Sequence, residues 1–293
     1  MFFSQNRQGA FWTPIRLRDE PGYTLAMAVD ELSLEMEGGG TVAALGWGSP
    51  DATPVLALHG WLDNAASFAG LAPHLAGARV VAIDLPGHGA SGYGSSPGSA
   101  DDWVTACLET APGEAEWIGW SLGGQLALAA ALREPARVRR LVLIAGSPRF
   151  VQTDDWPHAV AEEVLRQFAG ALKRDHQQTL ERFLALQVRG DDEARRALRL
   201  LRQEITQHPQ PRPDALERGL ELLLTVDLRA RVMELQMPSL WLLGERDTLA
   251  PPALKPPVDP EMLRHKELRE DEYWRSVPLY APLEAAEFHD HRF

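Results

Sequence analysis

Ser121 stands at the centre of Gly119-Trp120-Ser121-Leu122-Gly123, between a short apolar run (Ala115 to Ile118) and an alanine- and leucine-rich run (Gln125 to Leu132). A Gly-x-Ser-x-Gly bend from a strand into a helix is a nucleophile elbow, which strains the serine backbone and exposes its hydroxyl. Glycine suits positions 119 and 123 because the strand and helix backbones nearly touch on either side of such a bend. The helix N-terminus adds unpaired N–H groups and the positive end of a dipole, suited to a developing oxyanion. A serine hydroxyl is a poor nucleophile until an imidazole takes its proton, and the imidazole needs an acid to fix its tautomer. The competing reading is a chance match to the pattern in a glycine-rich chain.

Three further stretches bear on that chemistry. Val55-Leu56-Ala57-Leu58 is a continuous apolar run, as expected of a strand buried on both faces of a parallel sheet, and it runs into His59-Gly60-Trp61. A loop in that place supplies a second oxyanion-hole N–H, here from Trp61, to act with that of Leu122. The alternative is a buried strand-end turn. Val80-Val81-Ala82-Ile83 leads into Asp84-Leu85-Pro86-Gly87-His88-Gly89-Ala90-Ser91. Its glycine and proline frame predicts a tight loop in which Asp84 and Ser91 bind backbone groups and take no part in chemistry. Ser239 to Leu243 is followed by Gly244-Glu245-Arg246-Asp247. The chain order serine, acid, histidine makes Asp247 the candidate acid and Glu245 the second choice, with turn capping as the bland alternative. Beyond that acid the histidines are His265, His289 and His291. His265 follows Asp247 by only 18 residues, too few for a helix and a returning strand. His289 therefore ranks first as base and His291 next.

The elements that must position these groups follow from the wider pattern. At 293 residues the chain accommodates one large α/β domain with an inserted subdomain. Apolar content of 45% and charged content of 24% fit a soluble globular protein, and the net charge of −12 argues against nucleic acid or anionic membrane as a partner. No apolar run approaches a membrane span, and Met1 to Arg7 lacks the order of a signal peptide. The single Cys107 fits a reducing compartment, so the expected location is cytoplasmic. Residues 1–30 form an irregular leader. Leu32 to Met36, Gly38 to Gly40 and Val42 to Trp47 predict a β-hairpin at one sheet edge. Phe68 to Leu75 and Asp101 to Ala111 predict helices, and Val138 to Ile144 a strand. From Phe150 to Val226 strand signals stop, and helical periodicity covers 159–172, 178–187, 194–205 and 215–225. The predicted organisation is an α/β core over 31–149 and 227–293, interrupted by a helical lid over 150–226. Nothing predicts a metal site, a phosphate loop or a dinucleotide fingerprint, so the implied chemistry is acyl transfer to water without a cofactor.

Taken together, His59-Gly60-Trp61, Asp84 to Gly89, Gly119 to Gly124 and Gly244-x-x-Asp247 resemble the α/β-hydrolase superfamily. Within it the chain resembles the pimeloyl-[acyl-carrier protein] methyl ester esterases of biotin synthesis. That likeness is carried by Glu181-Arg182-Phe183-Leu184-Ala185-Leu186-Gln187, Gly219-Leu220-Glu221, Thr225-Val226-Asp227-Leu228-Arg229 and Met237-Pro238, roughly within 102–252. The resemblance implies an α/β-hydrolase fold, a mostly parallel central sheet with helices on both faces, and a serine carboxylesterase; the chain is expected to be a monomer. It assigns the substrate pocket to Trp61, Leu122, Phe183 and Gln187. It places Arg182, Arg195 and Arg199 against an acidic acyl carrier protein bearing the ester, with Arg189 and Arg196 adding to the cluster. A solvated helix face paired with Asp191, Asp192 and Glu193 is the alternative, and Gln178 stands where the family has a further basic residue. The departure lies at the C-terminus. The family's histidine window corresponds to Asp271 to Val277, which holds neither histidine nor glycine, and no glycine follows Gly244. Two readings therefore stand: a working esterase of this or another acyl specificity, and a hydrolase-fold protein without turnover because its base is missing.

Overall fold

The computed structural model describes residues 13–15, 29–36, 39–75, 77–187, 208–244, 247, 249–251 and 253. Its strands are β1 (Thr13–Ile15), β2 (Val29–Glu35), β3 (Thr41–Trp47), β4 (Thr53–Leu58), β5 (Ala78–Ile83), β6 (Ala115–Trp120), β7 (Val138–Ile144) and β8 (Ser239–Leu242). They form one sheet in the order β1-β2-β3-β5-β4-β6-β7-β8. The first four strands in that order pair antiparallel, and β5, β4, β6, β7 and β8 run parallel. Register aligns the ends of the parallel strands. Leu58 pairs with Ile83 and with Gly119, and Ile144 pairs with Trp120 and with Leu242. The loops after these strands thus emerge together at one edge of the sheet, where open α/β sheets place their ligands.

Side chains alternate between the sheet's two faces. Leu56, Leu58 and Trp117 join one core, with the buried faces of α1 (Ala100–Thr110) and α2 (Leu122–Arg133). Val55, Ala57 and Ile118 join the other, under Ala65, Phe68, Leu71 and Leu75. Ser99 starts α1 with a capping box: its hydroxyl accepts from the Asp102 N–H while the Asp102 carboxylate accepts from the Ser99 N–H.

Three elements differ from the sequence-based expectation. The stretch predicted as a helix over Phe68–Leu75 is two short 3₁₀ turns, Ala65–Phe68 and Ala72–His74. Pro73 in the second turn removes a donor that an α-helix would need. The hairpin of β2 and β3 does form, but β1 lies outside it, so it is not the sheet edge and the leader is not wholly irregular. Three residues centred on a proline give too short a pattern to reveal a strand. The helix expected from 159 begins at Glu162, because Val160 bridges Val151 and gives its N–H to Phe150 O.

Between β7 and β8 run α3 (Glu162–Arg174), α4 (His176–Gln187) and α5 (Pro213–Thr225). The helix expected over 194–205 lies outside the described residues. The two ends of this insertion are tied together. The Leu228 N–H donates to Pro148 O at 2.9 Å, and Asp227 pairs with Arg149 at 2.9 Å and with Arg229 at 2.8 Å. Arg229 also binds Asp155 at 2.8 Å and the Thr153 hydroxyl at 3.1 Å. No described helix is long and apolar enough to cross a membrane.

Candidate functional site

The bend between β6 and α2 has the geometry that its sequence predicts. Ser121 holds φ 53° and ψ −116°, a conformation that costs a non-glycine residue on the order of 1–3 kcal/mol. Two bonds lock it there: the Ser121 N–H to Ile144 O at 2.9 Å, and the Gln125 N–H to Ser121 O at 3.1 Å. The glycines are required by space. A Cβ on Gly119 would lie 2.5 Å from the Gly123 carbonyl oxygen and the Gly124 Cα, and one on Gly123 would lie 2.3 Å from Leu58 O. Ser121 caps α2 only by position, its hydroxyl making no capping bond.

Leu58 O belongs to the end of β4, so the same close packing brings His59-Gly60-Trp61 alongside the serine. A Cβ on Gly60 would stand 3.4 Å from Ser121 Cβ. The next residues form a turn closed by the Asp63 N–H to Gly60 O at 3.2 Å, with Leu62 at φ 79°. That is the position where a type II turn ordinarily takes glycine. Buried neighbours hold this strained turn: Trp61 and Leu62 are each 2% exposed. The Trp61 indole N–H donates to Leu216 O of α5 at 2.9 Å, and its ring meets Phe183 of α4 edge-on at 4.7 Å.

Two histidines lie near this edge, and neither has the character of a base. The His59 Nε2 accepts the Leu85 N–H at 2.9 Å, so the ring proton sits on Nδ1 and points to Gly60 O at 2.8 Å. Burial holds its pKa down at about 4. His88 is equally buried, 5.2 Å from His59 between ring centroids and edge-on to Trp103, and burial lowers its pKa to about 3. Asp84 accepts the N–H groups of Ala65 at 2.7 Å and Ala90 at 2.8 Å, and burial raises its carboxyl to about 6. Ser91 donates to Asp84 O and accepts from the Ala43 N–H. Both residues thus fold the loop, as the sequence predicts.

Asp247 lies beyond β8, two strands from the elbow strand. Its Oδ1 accepts the N–H groups of Leu249 at 2.8 Å and Ala250 at 2.9 Å. It therefore does cap a turn, through one oxygen, and among the described residues Oδ2 carries no bond. Such bracing fixes the carboxylate without consuming it. Among the described residues no cluster of His, Cys, Asp and Glu could hold a metal ion.

The structure therefore gathers Ser121, Leu122, Trp61 and Phe183, and sets Asp247 in the loop after β8, two strands away. Arg182 is exposed on α4. Gln187 ends α4 in backbone position, and Glu245, Arg189, Arg195, Arg196, Arg199, His265, His289 and His291 lie outside the described residues. Sequence reasoning gives no role to Leu216 and uses Gly219 only for a likeness. The signal within reach was a lone glycine inside a helical pattern, which marks a close approach.

A strained serine at a strand-to-helix bend, flanked by the loop from a neighbouring parallel strand, defines an α/β-hydrolase. The chain belongs to the α/β-hydrolase fold family, which it matches over residues 53–272. Over 200 residues it is 48% identical to the pimeloyl-[acyl-carrier protein] methyl ester esterase of Xanthomonas axonopodis pv. citri (strain 306), covering 67% of this chain and 77% of that one. The enzyme of the same name from Klebsiella pneumoniae subsp. pneumoniae is 44% identical over 203 residues, covering 69% and 78%. Among solved structures, an esterase from Exiguobacterium antarcticum superposes with a TM-score of 0.68 at 20% identity, over 76% of this chain and 84% of that one. A bromoperoxidase from Bacillus anthracis gives 0.67 at 19%, over 74% and 82%. An esterase and a bromoperoxidase differ in chemistry, so the superpositions speak for the fold alone.

Proposed function

We propose that this esterase of the α/β-hydrolase family is a serine carboxylesterase that cleaves the methyl ester of a pimeloyl group carried on acyl carrier protein. The observation that carries the reaction class is the backbone of Ser121, φ 53° and ψ −116°, beside the Trp61 turn. The substrate is suggested by the 48% identity to the Xanthomonas esterase.

In this reading Ser121 Oγ attacks the ester carbonyl while the base takes its proton. The Trp61 and Leu122 N–H groups hold the oxyanion, each donor supplying on the order of 3 kcal/mol. Collapse expels methanol, which takes the proton from the base, and water then releases the acid by the same steps in reverse. Asp247 orients the base through Oδ2. His289 is the first choice as base, ahead of His291 and His265. The helices between β7 and β8 act as a lid whose Phe183 and Gln187 bound the acyl chain, and Arg182, Arg195 and Arg199 receive the acidic carrier. The setting is cytoplasmic.

A fluorophosphonate probe tests this directly, alongside hydrolysis of p-nitrophenyl butyrate. Labelling of Ser121 that slows sharply in His289→Ala, with Ser121→Ala losing about 10⁴-fold in kcat, is the expected result. Fast labelling that survives removal of His265, His289 and His291 would remove the base from the scheme. An intact protein that neither labels nor turns over would establish the second reading, a hydrolase fold without turnover. The neutral, fully bonded state of His59 favours that reading if the later histidines do not reach the serine.

A further inference from the structure

We propose that helix α5, arriving from the insertion, sets the geometry of the oxyanion-stabilising residues, with Gly219 as the positioning residue. The proposal rests on the esterase reading above and concerns the same site. Trp61 and Leu122, the two candidate donors, come from different loops of the core, after β4 and β6. One residue touches the side chains of both. A Cβ on Gly219 would lie 2.7 Å from Trp61 Cδ1, 3.2 Å from Trp61 Nε1 and 3.2 Å from Leu122 Cδ2.

Gly219 has no backbone reason to be glycine: it lies inside a helix and is not among the positive-φ glycines. In such a position glycine is destabilising relative to alanine, so the space it leaves is what it supplies. Leu216, one turn earlier, accepts the Trp61 indole N–H at 2.9 Å. The helix thus both pulls the indole in and limits how closely it comes. The turn that follows Trp61 is strained at Leu62, φ 79°, and strained turns persist only where their surroundings over-determine them. Helix α5 is part of that surrounding. Its own place is fixed at the start of the helix, where the Arg212 N–H donates to Gly87 O at 2.8 Å. The oxyanion geometry is therefore shared between core and insertion.

The test uses the intact protein and p-nitrophenyl butyrate, with Gly219→Ala, Trp61→Phe and the double variant. Displacing a donor by a fraction of an ångström, without deleting it, should lower kcat about 10-fold in Gly219→Ala. KM should stay within about threefold, and Tm should fall only modestly, since the better helix propensity of alanine offsets part of the crowding against the buried indole. Trp61→Phe, which keeps an aromatic ring and drops the bond to Leu216 O, should also lower kcat. The double variant should lose less than the product of the two, because both act through one contact. A kcat within twofold of the parent in Gly219→Ala would overturn the proposal. So would a kcat loss that disappears at temperatures well below the variant's Tm, or losses that multiply fully. Should Gly219→Ala not fold, an unchanged kcat in Trp61→Phe overturns it alone. An inactive parent would remove the esterase reading and this inference together, whereas an active parent with indifferent variants removes only the inference.

Discussion

Lowering the pH from 7 to 5 should make this protein markedly easier to unfold, because two buried histidines take up protons in the unfolded chain and resist them in the folded one. His59 titrates near 6.5 when exposed and near 4 when folded, and His88 near 6.5 and near 3, burial being the main cause for both. Below pH 6.5 the unfolded chain therefore binds protons that the native state does not, and stability is lost as the pH falls through that window. At pH 5 each histidine costs about 2 kcal/mol, or about 4 kcal/mol for the pair. Asp84 works in the opposite sense. Burial raises its folded pKa from 3.8 to about 6, so it regains stability as the pH falls below 6, about 1 kcal/mol by pH 5. The net loss is about 3 kcal/mol, which for a domain of this size lowers Tm by about 6–12 °C. Thermal melts followed by circular dichroism at pH 5, 6 and 7 measure it. His88→Phe keeps a ring against Trp103 and deletes one titration, and should cut the drop to about a third. A parent with the same Tm at pH 5 and 7, or a variant with the parent's full drop, would refute the reasoning.

Gly123→Ala places a methyl 2.3 Å from Leu58 O and 2.5 Å from His59 O, both backbone atoms that cannot rotate away. It should cost about 3 kcal/mol or more in urea unfolding, while Gly70→Ala, with nothing within 4 Å, should stay within about 0.5 kcal/mol. Equal effects at the two sites would refute the steric argument. Reversing Arg182, Arg195 and Arg199 to glutamate should weaken acyl-carrier-protein binding and flatten its salt dependence, with p-nitrophenyl butyrate hydrolysis nearly unchanged. Unchanged carrier binding would end the docking assignment.

The site was legible where backbone geometry dictates residue type. Ser121, Gly119 and Gly123 could be read in advance because a tight strand-to-helix bend admits few side chains, and β7 because its second half, Leu141 to Ile144, is continuously apolar. The 3₁₀ turns over 65–74 misled because Phe68, Leu71 and Leu75 keep helical spacing, while Gly70 and Pro73 decide the backbone. The pairing of β1 with β2 is a contact between distant residues that three residues cannot announce. The bond from Trp61 to Leu216, 155 positions apart, has no local signature at all. Asp247 does follow a strand as its sequence suggests, but the bonds that its Oδ1 accepts from Leu249 and Ala250 needed coordinates.

The tie between residues 148–155 and 227–229 joins the two ends of the segment that carries the helices between β7 and β8. Closing a long excursion costs entropy that grows only with the logarithm of its length, about 0.6 kcal/mol per doubling. The Pro148–Leu228 bond and the Arg229 hub meet that cost at the base, whatever lies between. The entropic cost of the excursion therefore depends little on which helices occupy it. Such a segment is a cartridge: a lineage could exchange it without renegotiating the strands that strain the serine. The packing of these helices on the core resists free exchange, above all where Leu216 and Gly219 meet Trp61 and Leu122. A transplanted cartridge would have to bring its own carbonyl and its own gap to that place.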